Sequence, residues 1–163
     1  MTTTVKQPPQ RIPEELVSSA LFLIKRLGMA AKEQSFEAYE AAGLHPYHHA
    51  ILAVLDEGSR ETQGAIADAL GYDRGQLVGL LDELEDAGLV ERNRDPNDRR
   101  RHVVRLTPAG RKALAKLRAL SARLDDEFLA ALEPDERETL HRLLLVLAGE
   151  HLPNCRFARP AAQ

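Results

Sequence analysis

Leu77, Leu80, Leu81 and Leu84 recur at i, i+3, i+4 and i+7, the spacing that lays side chains along one side of an α-helix. Asp73, a good N-capping residue, precedes the pattern, and Gly88 ends it. A shorter helical segment, ETQGAIADAL, stands just before, with Thr62 as its N-cap and Ile66, Ala67 and Leu70 on one face. Gly71-Tyr72 makes the tight turn between the two, and two short helices so joined form a helix-turn-helix. The second helix is followed by a hairpin signal: Leu89-Val90-Glu91-Arg92, the turn-rich Asp95-Pro96-Asn97-Asp98, then Val103-Val104-Arg105-Leu106. That order predicts a winged helix-turn-helix, with the second helix suited to a major groove and the hairpin to the flanking backbone or minor groove.

The flanks read as helices with excess apolar surface. From Pro13, a favourable first helical position, Leu16, Val17, Leu21, Phe22, Leu23, Ile24 and Leu27 lead to about Tyr39, and Gly43 ends the run. A helix apolar on so much of its circumference needs partners on several sides. A second helix opens at Pro46, carries Ile51, Leu52 and Leu55, and stops near Gly58. Thr107-Pro108 opens a long helix in which Leu114, Leu117, Ser121, Leu124, Phe128 and Ala131 alternate by three and four, the seam of paired helices. A last helix from about Pro134 is expected to bury Leu140, Leu143, Leu144 and Leu147, and the tail beyond it is irregular. The fold expected is mainly α with a small β-hairpin wing, of the α+β class. Residues 1–12 are a flexible arm, 13–45 and 107–163 are dimerisation helices, and 46–106 form the lobe between. The terminal helices carry more apolar surface than so small a lobe could cover, which a second copy would bury.

With 163 residues, 44% apolar, 4% aromatic and no tryptophan, the chain suits one soluble helical domain. Its longest apolar run, Leu143 to Ala148, is too short for a bilayer, and MTTTVKQPPQ has no signal-peptide core, so cytoplasmic residence is expected. The net charge of −3 argues against a polyanionic partner only as an average. Between Glu91 and Arg118 ten basic residues face three acidic ones, a local +7 against −10 elsewhere. A basic stripe on an acidic body holds phosphate in one place and repels it in others.

Gly88 to Arg111, GLVERNRDPNDRRRHVVRLTPAGR, resembles the wing signature of MarR-type transcriptional regulators, and the order and lengths of the helices resemble that family from about Glu14 to Gly149. The resemblance implies a homodimer whose terminal helices interlock while two winged lobes read a pseudo-palindromic operator. It also implies a repressor released by a small ligand, often a phenolic acid, bound between the dimerisation helices and the lobe. In the family's D-x-R wing motif the arginine enters the minor groove; here the pair is Asp98 and Arg100.

Candidate DNA contacts are then Thr62 and Gln63, Arg74, Gln76 and Val78 on the second helix, and Arg94, Asp98, Arg99, Arg100 and Arg101 on the hairpin. The second helix departs from the family, whose threonine-rich stretch with an arginine is replaced by Gln76-Leu77-Val78-Gly79. Gly75 and Gly79 lie opposite the leucine face. Either they let the backbone approach DNA, or the site tolerates glycine and specificity comes from the wing and DNA shape. Asp82, Glu83 and Asp86 are expected to point out of the groove.

Arg26, Tyr39, Tyr47, His48 and His49 fit a pocket for an aromatic carboxylate, although packing accounts for each singly. His45 and His49 could share a face and bind a metal, but zinc wants three or four ligands and no cysteine lies nearby, which favours His45 as an N-cap instead. No cofactor is expected. Cys155, the single cysteine, lacks a basic helix N-terminus that would lower its thiol pKa, so redox sensing is disfavoured. Competing readings are an architectural DNA-binding protein without effector and a metal-sensing regulator. No GxGxxG, Walker, HExxH or G-x-S-x-G pattern supports an enzyme.

Overall fold

The computed structural model describes residues 11–58, 62–98 and 100–152, so Arg99, Cys155 and most of the expected N-terminal arm lie outside the described residues. The elements are α1 (Glu14–Val17), α2 (Ala20–Ala41), α3 (Pro46–Asp56), α4 (Gln63–Leu70), α5 (Arg74–Asp86), β1 (Val90–Arg94), β2 (His102–Leu106), α6 (Pro108–Phe128) and α7 (Pro134–His151). The single helix expected from Pro13 is broken after one turn. The Ser18 hydroxyl donates back to the Glu14 carbonyl (2.8 Å), and Ser19 turns extended so that its own hydroxyl accepts from the Phe22 N–H (3.3 Å), capping α2. Two serines thereby offer the backbone an alternative to continuing the helix.

Side-chain caps set most other helix starts. Asp73 accepts from the N–H groups of Gly75 and Gln76, Thr62 from Ala65, and Thr107 from Gly110. Gly71 and Gly88 take left-handed φ values of 67° and 70°, which lets the chain reverse tightly after α4 and after α5. The hairpin pairs antiparallel in the register Val90↔Leu106 to Arg94↔His102. It therefore extends past the expected strands, whereas Leu89 stays outside the ladder. A bridge between Thr62 and Val103 pins the start of α4 to β2.

The core gathers around α3, whose Ile51 and Leu52 are fully enclosed and which packs against α2, α4, α5, α6 and β2. All four leucines of the α5 pattern are buried in it, together with Ile66, Val90, Val104, Leu114 and Leu117. One expectation for the C-terminal helices is corrected, and another is not met within a single copy. α6 ends at Phe128, so Ala131 falls in the following turn rather than on a helical seam. No residue of α7 is buried within the chain: Leu143, Leu144 and Leu147 are 49%, 45% and 43% exposed, and Leu140 is half-buried. α1 and α2 likewise expose Leu16, Val17, Leu21, Leu23, Ile24, Leu27 and Met29. A single copy simply offers these faces nothing to pack on.

One junction is tight. The Leu89 carbonyl accepts from the Thr107 N–H (3.1 Å), the Thr107 hydroxyl donates to the Gly88 carbonyl (2.6 Å), and a Cβ on Gly110 would fall on the Leu89 carbonyl. Gly79, by contrast, has open space where a Cβ would be. Gly110→Ala should therefore cost about 3 kcal/mol of stability, because backbone must move, while Gly79→Ala should gain about 0.5–1 kcal/mol. Urea unfolding at one protein concentration checks both, and a Gly110→Ala protein as stable as the parent would show the junction to be loose.

Candidate nucleic-acid interface

A groove of about 530 Å³ opens between the N-terminus of α4, the first turn of α5 and the end of the hairpin. Thr62, Gln63, Arg74, Arg100 and Arg101 line it, so half of the residues expected at DNA converge on one concavity, joined by Gly64, Ala65, Asp68 and His102. Gln76 and Val78 are exposed on α5, and Arg94 is exposed at the end of β1. Asp98 organises the hairpin end: its carboxylate accepts from the Arg100 N–H (3.0 Å) and its carbonyl from the Arg101 N–H (2.9 Å). Asp95 assists by accepting from the Asn97 N–H through its side chain (2.8 Å) and donating its own N–H to the Arg101 carbonyl. These turns aim Arg100 outward from a fixed backbone.

The acidic half of α5 serves the fold as well as facing away. Arg92 of β1 reaches across to α5, where its Nε donates to Glu85 (2.9 Å) and its Nη2 to Asp82 (2.6 Å). The guanidinium's two-pronged grip holds the Glu85 carboxyl below the usual carboxylate range, and Glu85 in turn raises Arg92. Sequence reasoning counted Arg92 only as part of the basic stripe. Its signal was the placement of an arginine in the middle of a short strand that leaves an acidic helix end through a glycine turn.

Glu83 is tied to α3. The His45 backbone N–H donates to His48 Nδ1 (3.3 Å), which leaves the ring proton on Nε2 to donate to Glu83 (2.8 Å). Burial lowers the His48 pKa despite Glu83, so a neutral imidazole makes this bond at pH 7. His45 caps α3 as expected, accepting from the Tyr47 N–H (3.3 Å). Tyr39 and His49 form a second link, with the phenol oxygen 2.6 Å from His49 Nδ1. Burial raises the Tyr39 pKa and lowers that of His49.

Neither the groove nor the junction cavity described below is lined by Arg26, Tyr39, Tyr47, His48 or His49. Tyr39 and His49 bond each other, His48 bonds Glu83, and Tyr47 packs edge-on to Tyr72 with ring centres 5.3 Å apart. Arg26 is exposed thirteen residues before Tyr39 on α2, about 20 Å along the helix axis. A cavity of about 500 Å³ does lie at the junction of α2, α6 and the α5–β1 turn, but other residues line it: Ala42, Leu44, Leu89, Ala109, Lys112, Ala113, Lys116, Leu117 and Leu120. Among the described residues, no three His, Cys, Asp or Glu side chains are arranged to hold a metal ion, and no helix is long and apolar enough to cross a membrane.

The sequence pattern of the MarR family matches residues 42–101, from the end of α2 through the hairpin end. A curated relative, a transcriptional regulatory protein for the hcr operon of Thauera aromatica, is 37% identical over 102 residues, which span 63% of this chain and 61% of that protein. The transcriptional repressor CouR, solved on a 23-mer DNA duplex, superposes with a TM-score of 0.76 at 33% identity, over 85% of this chain and 99% of CouR. PcaV from Streptomyces coelicolor, solved with its natural ligand, superposes at 0.68 with 25% identity, over 85% of this chain and 98% of PcaV. The helix pair, the basic hairpin bridged to it and the long flanking helices are thus shared along nearly the whole length of solved regulators, and the chain belongs to the MarR family of winged helix-turn-helix transcriptional regulators.

Proposed function

We propose that this regulator is a homodimeric, sequence-specific DNA-binding repressor released by a small aromatic acid. The groove that brings Arg74, Arg100 and Arg101 to the outer side of the helix pair carries the reading. None of these three arginines has an ion-pair partner among the described residues, so each keeps its charge for phosphate. In this reading α5 enters the major groove, where Arg74, Gln76 and Val78 meet base edges, and the hairpin places Arg100 in the minor groove. CouR on its duplex supports DNA as the partner.

Dimerisation is supported by the exposed leucines of α1, α2 and α7, an apolar surface far larger than a soluble monomer leaves open. An effector is supported by the junction cavity, whose apolar walls suit an aromatic ring and whose Lys112 and Lys116 suit a carboxylate. The ligand-bound PcaV structure supports the same regulatory class. This assignment places the anion at α6 rather than at Arg26 and the α3 histidines.

Three measurements follow, made on a duplex selected from a random library with the full chain. Arg100→Ala should weaken selected and scrambled duplexes alike and lower the slope of log K against log salt by about one unit, whereas Gln76→Ala should keep the slope and lose roughly 1–3 kcal/mol of base preference. An unchanged slope and affinity for Arg100→Ala would remove the hairpin from the interface. Leu144→Asp should give monomers or a destabilised fold with DNA affinity lost, and parental dimer mass with full binding in sedimentation would move the interface elsewhere. Calorimetric titration with phenolic acids should give a lower affinity in the presence of the duplex, by the same factor that the acid weakens DNA binding. Equal affinities with and without DNA, or no binding by any acid, would leave an effector-free DNA-binding protein.

A further inference from the structure

Among the described residues, the exposed large apolar side chains lie on the terminal segments, between Ile12 and Met29 or between Leu143 and Leu152, with one exception. Val78 stands 42% exposed in the middle of α5, away from both. Among the described residues, Val78 is neither in the core nor among the hydrophobic residues packed against it. At 100° per residue, Val78 shares its side of the helix with Arg74 one turn before and Asp82 one turn after, and Gly75 and Gly79 flank it. Asp82 is drawn away to Arg92. A Cβ on Gly79 would meet nothing within 4 Å, and one on Gly75 would meet only the Asp73 carboxylate. Val78 is therefore the largest apolar group on a helix surface that is otherwise bare beside it, and its β-branch costs helix stability relative to alanine while the residue stays 42% exposed.

The chemistry of the side chain narrows its partner. Two methyl groups can neither donate nor accept a hydrogen bond, so valine is blind to the polar pattern of base edges. The one apolar group that base pairs present in the major groove is the 5-methyl of thymine. The adjacent glycines let the helix axis come close enough for so short a side chain to reach it. Resting on the reading that α5 enters the major groove, we propose that Val78 is a specificity-determining residue that selects thymine through its 5-methyl group. The glycine at position 79, in place of a longer side chain, is then what makes room for that contact.

Deoxyuridine in place of thymidine removes only the 5-methyl group, which makes the test direct. Duplexes selected from a random library with the full chain would be resynthesised with each thymine replaced in turn, and their affinities for the parent and for Val78→Ala compared. For the parent, one thymine in each half-site should show an affinity loss of roughly four-fold on replacement, the worth of one buried methyl group. Val78→Ala should bind the thymine duplex more weakly by a similar factor and show no loss on replacement, with its affinity for a scrambled duplex unchanged. The proposal is overturned if Val78→Ala keeps the parental thymine-to-uracil ratio at every position, or if no replacement affects the parent. A library from which no duplex is enriched would instead overturn sequence-specific binding itself, so the two failures are told apart.

Discussion

Burial of Leu77, Leu80, Leu81 and Leu84 fixes the rotation of α5 about its own axis, and which of its residues face outward is a consequence of that rotation. Hydrophobic burial is non-directional, so it settles which side faces inward without settling where along the lobe the helix stops sliding. Directional bonds supply the missing constraint. Glu83 is held to α3 through a neutral His48, and Asp82 and Glu85 are held to β1 through Arg92. The acidic C-terminal half of the helix is thereby anchored on both flanks, while its N-terminal half, with Arg74, Gln76 and Val78, is left to solvent.

The same region joins the lobe to the long helices. The Leu89 carbonyl, between α5 and β1, receives the Thr107 N–H, and the close approach of Gly110 brings the first turn of α6 against it. Leu89 and Ala109 also line the junction cavity together with Lys112 and Lys116. Anything that fills this cavity touches the segment from which both the helix and the hairpin depart.

Much of this was legible in the residues, and the failures have particular causes. The helix pair, the hairpin and the caps at Thr62, Asp73 and Thr107 could be read because each depends on a few neighbouring side chains. The break at Ser18-Ser19 was masked by the apolar residues on both sides of it, and two local hydroxyl bonds mark it in the structure. For Tyr39, Tyr47, His48 and His49, polar aromatics near a junction, the sequence suggests a place but not the partners they take within the chain. In space, bonds from Tyr39 to His49 and from His48 to Glu83 span ten and thirty-five residues, a separation that no local pattern announces. The junction cavity was invisible for the opposite reason, since its walls are leucines and alanines that sequence reasoning assigns to packing.

The +7 of the segment from Glu91 to Arg118 overstates the charge available to a partner. Arg92 is spent on Asp82 and Glu85, and Arg111 and Arg118 both face Asp56 at the end of α3. These pairs fasten the hairpin to α5 and α6 to α3, so they shape the surface rather than advertise it. What remains for phosphate is concentrated at the hairpin end and the groove beside α4, where Arg100 and Arg101 stand without acidic partners among the described residues. A field gathered at two points above an acidic body orients an approaching polyanion as well as attracting it, because turning the duplex away from those points brings its phosphates toward carboxylates. The chain's net charge of −3 is thus compatible with tight DNA binding and contributes to its direction.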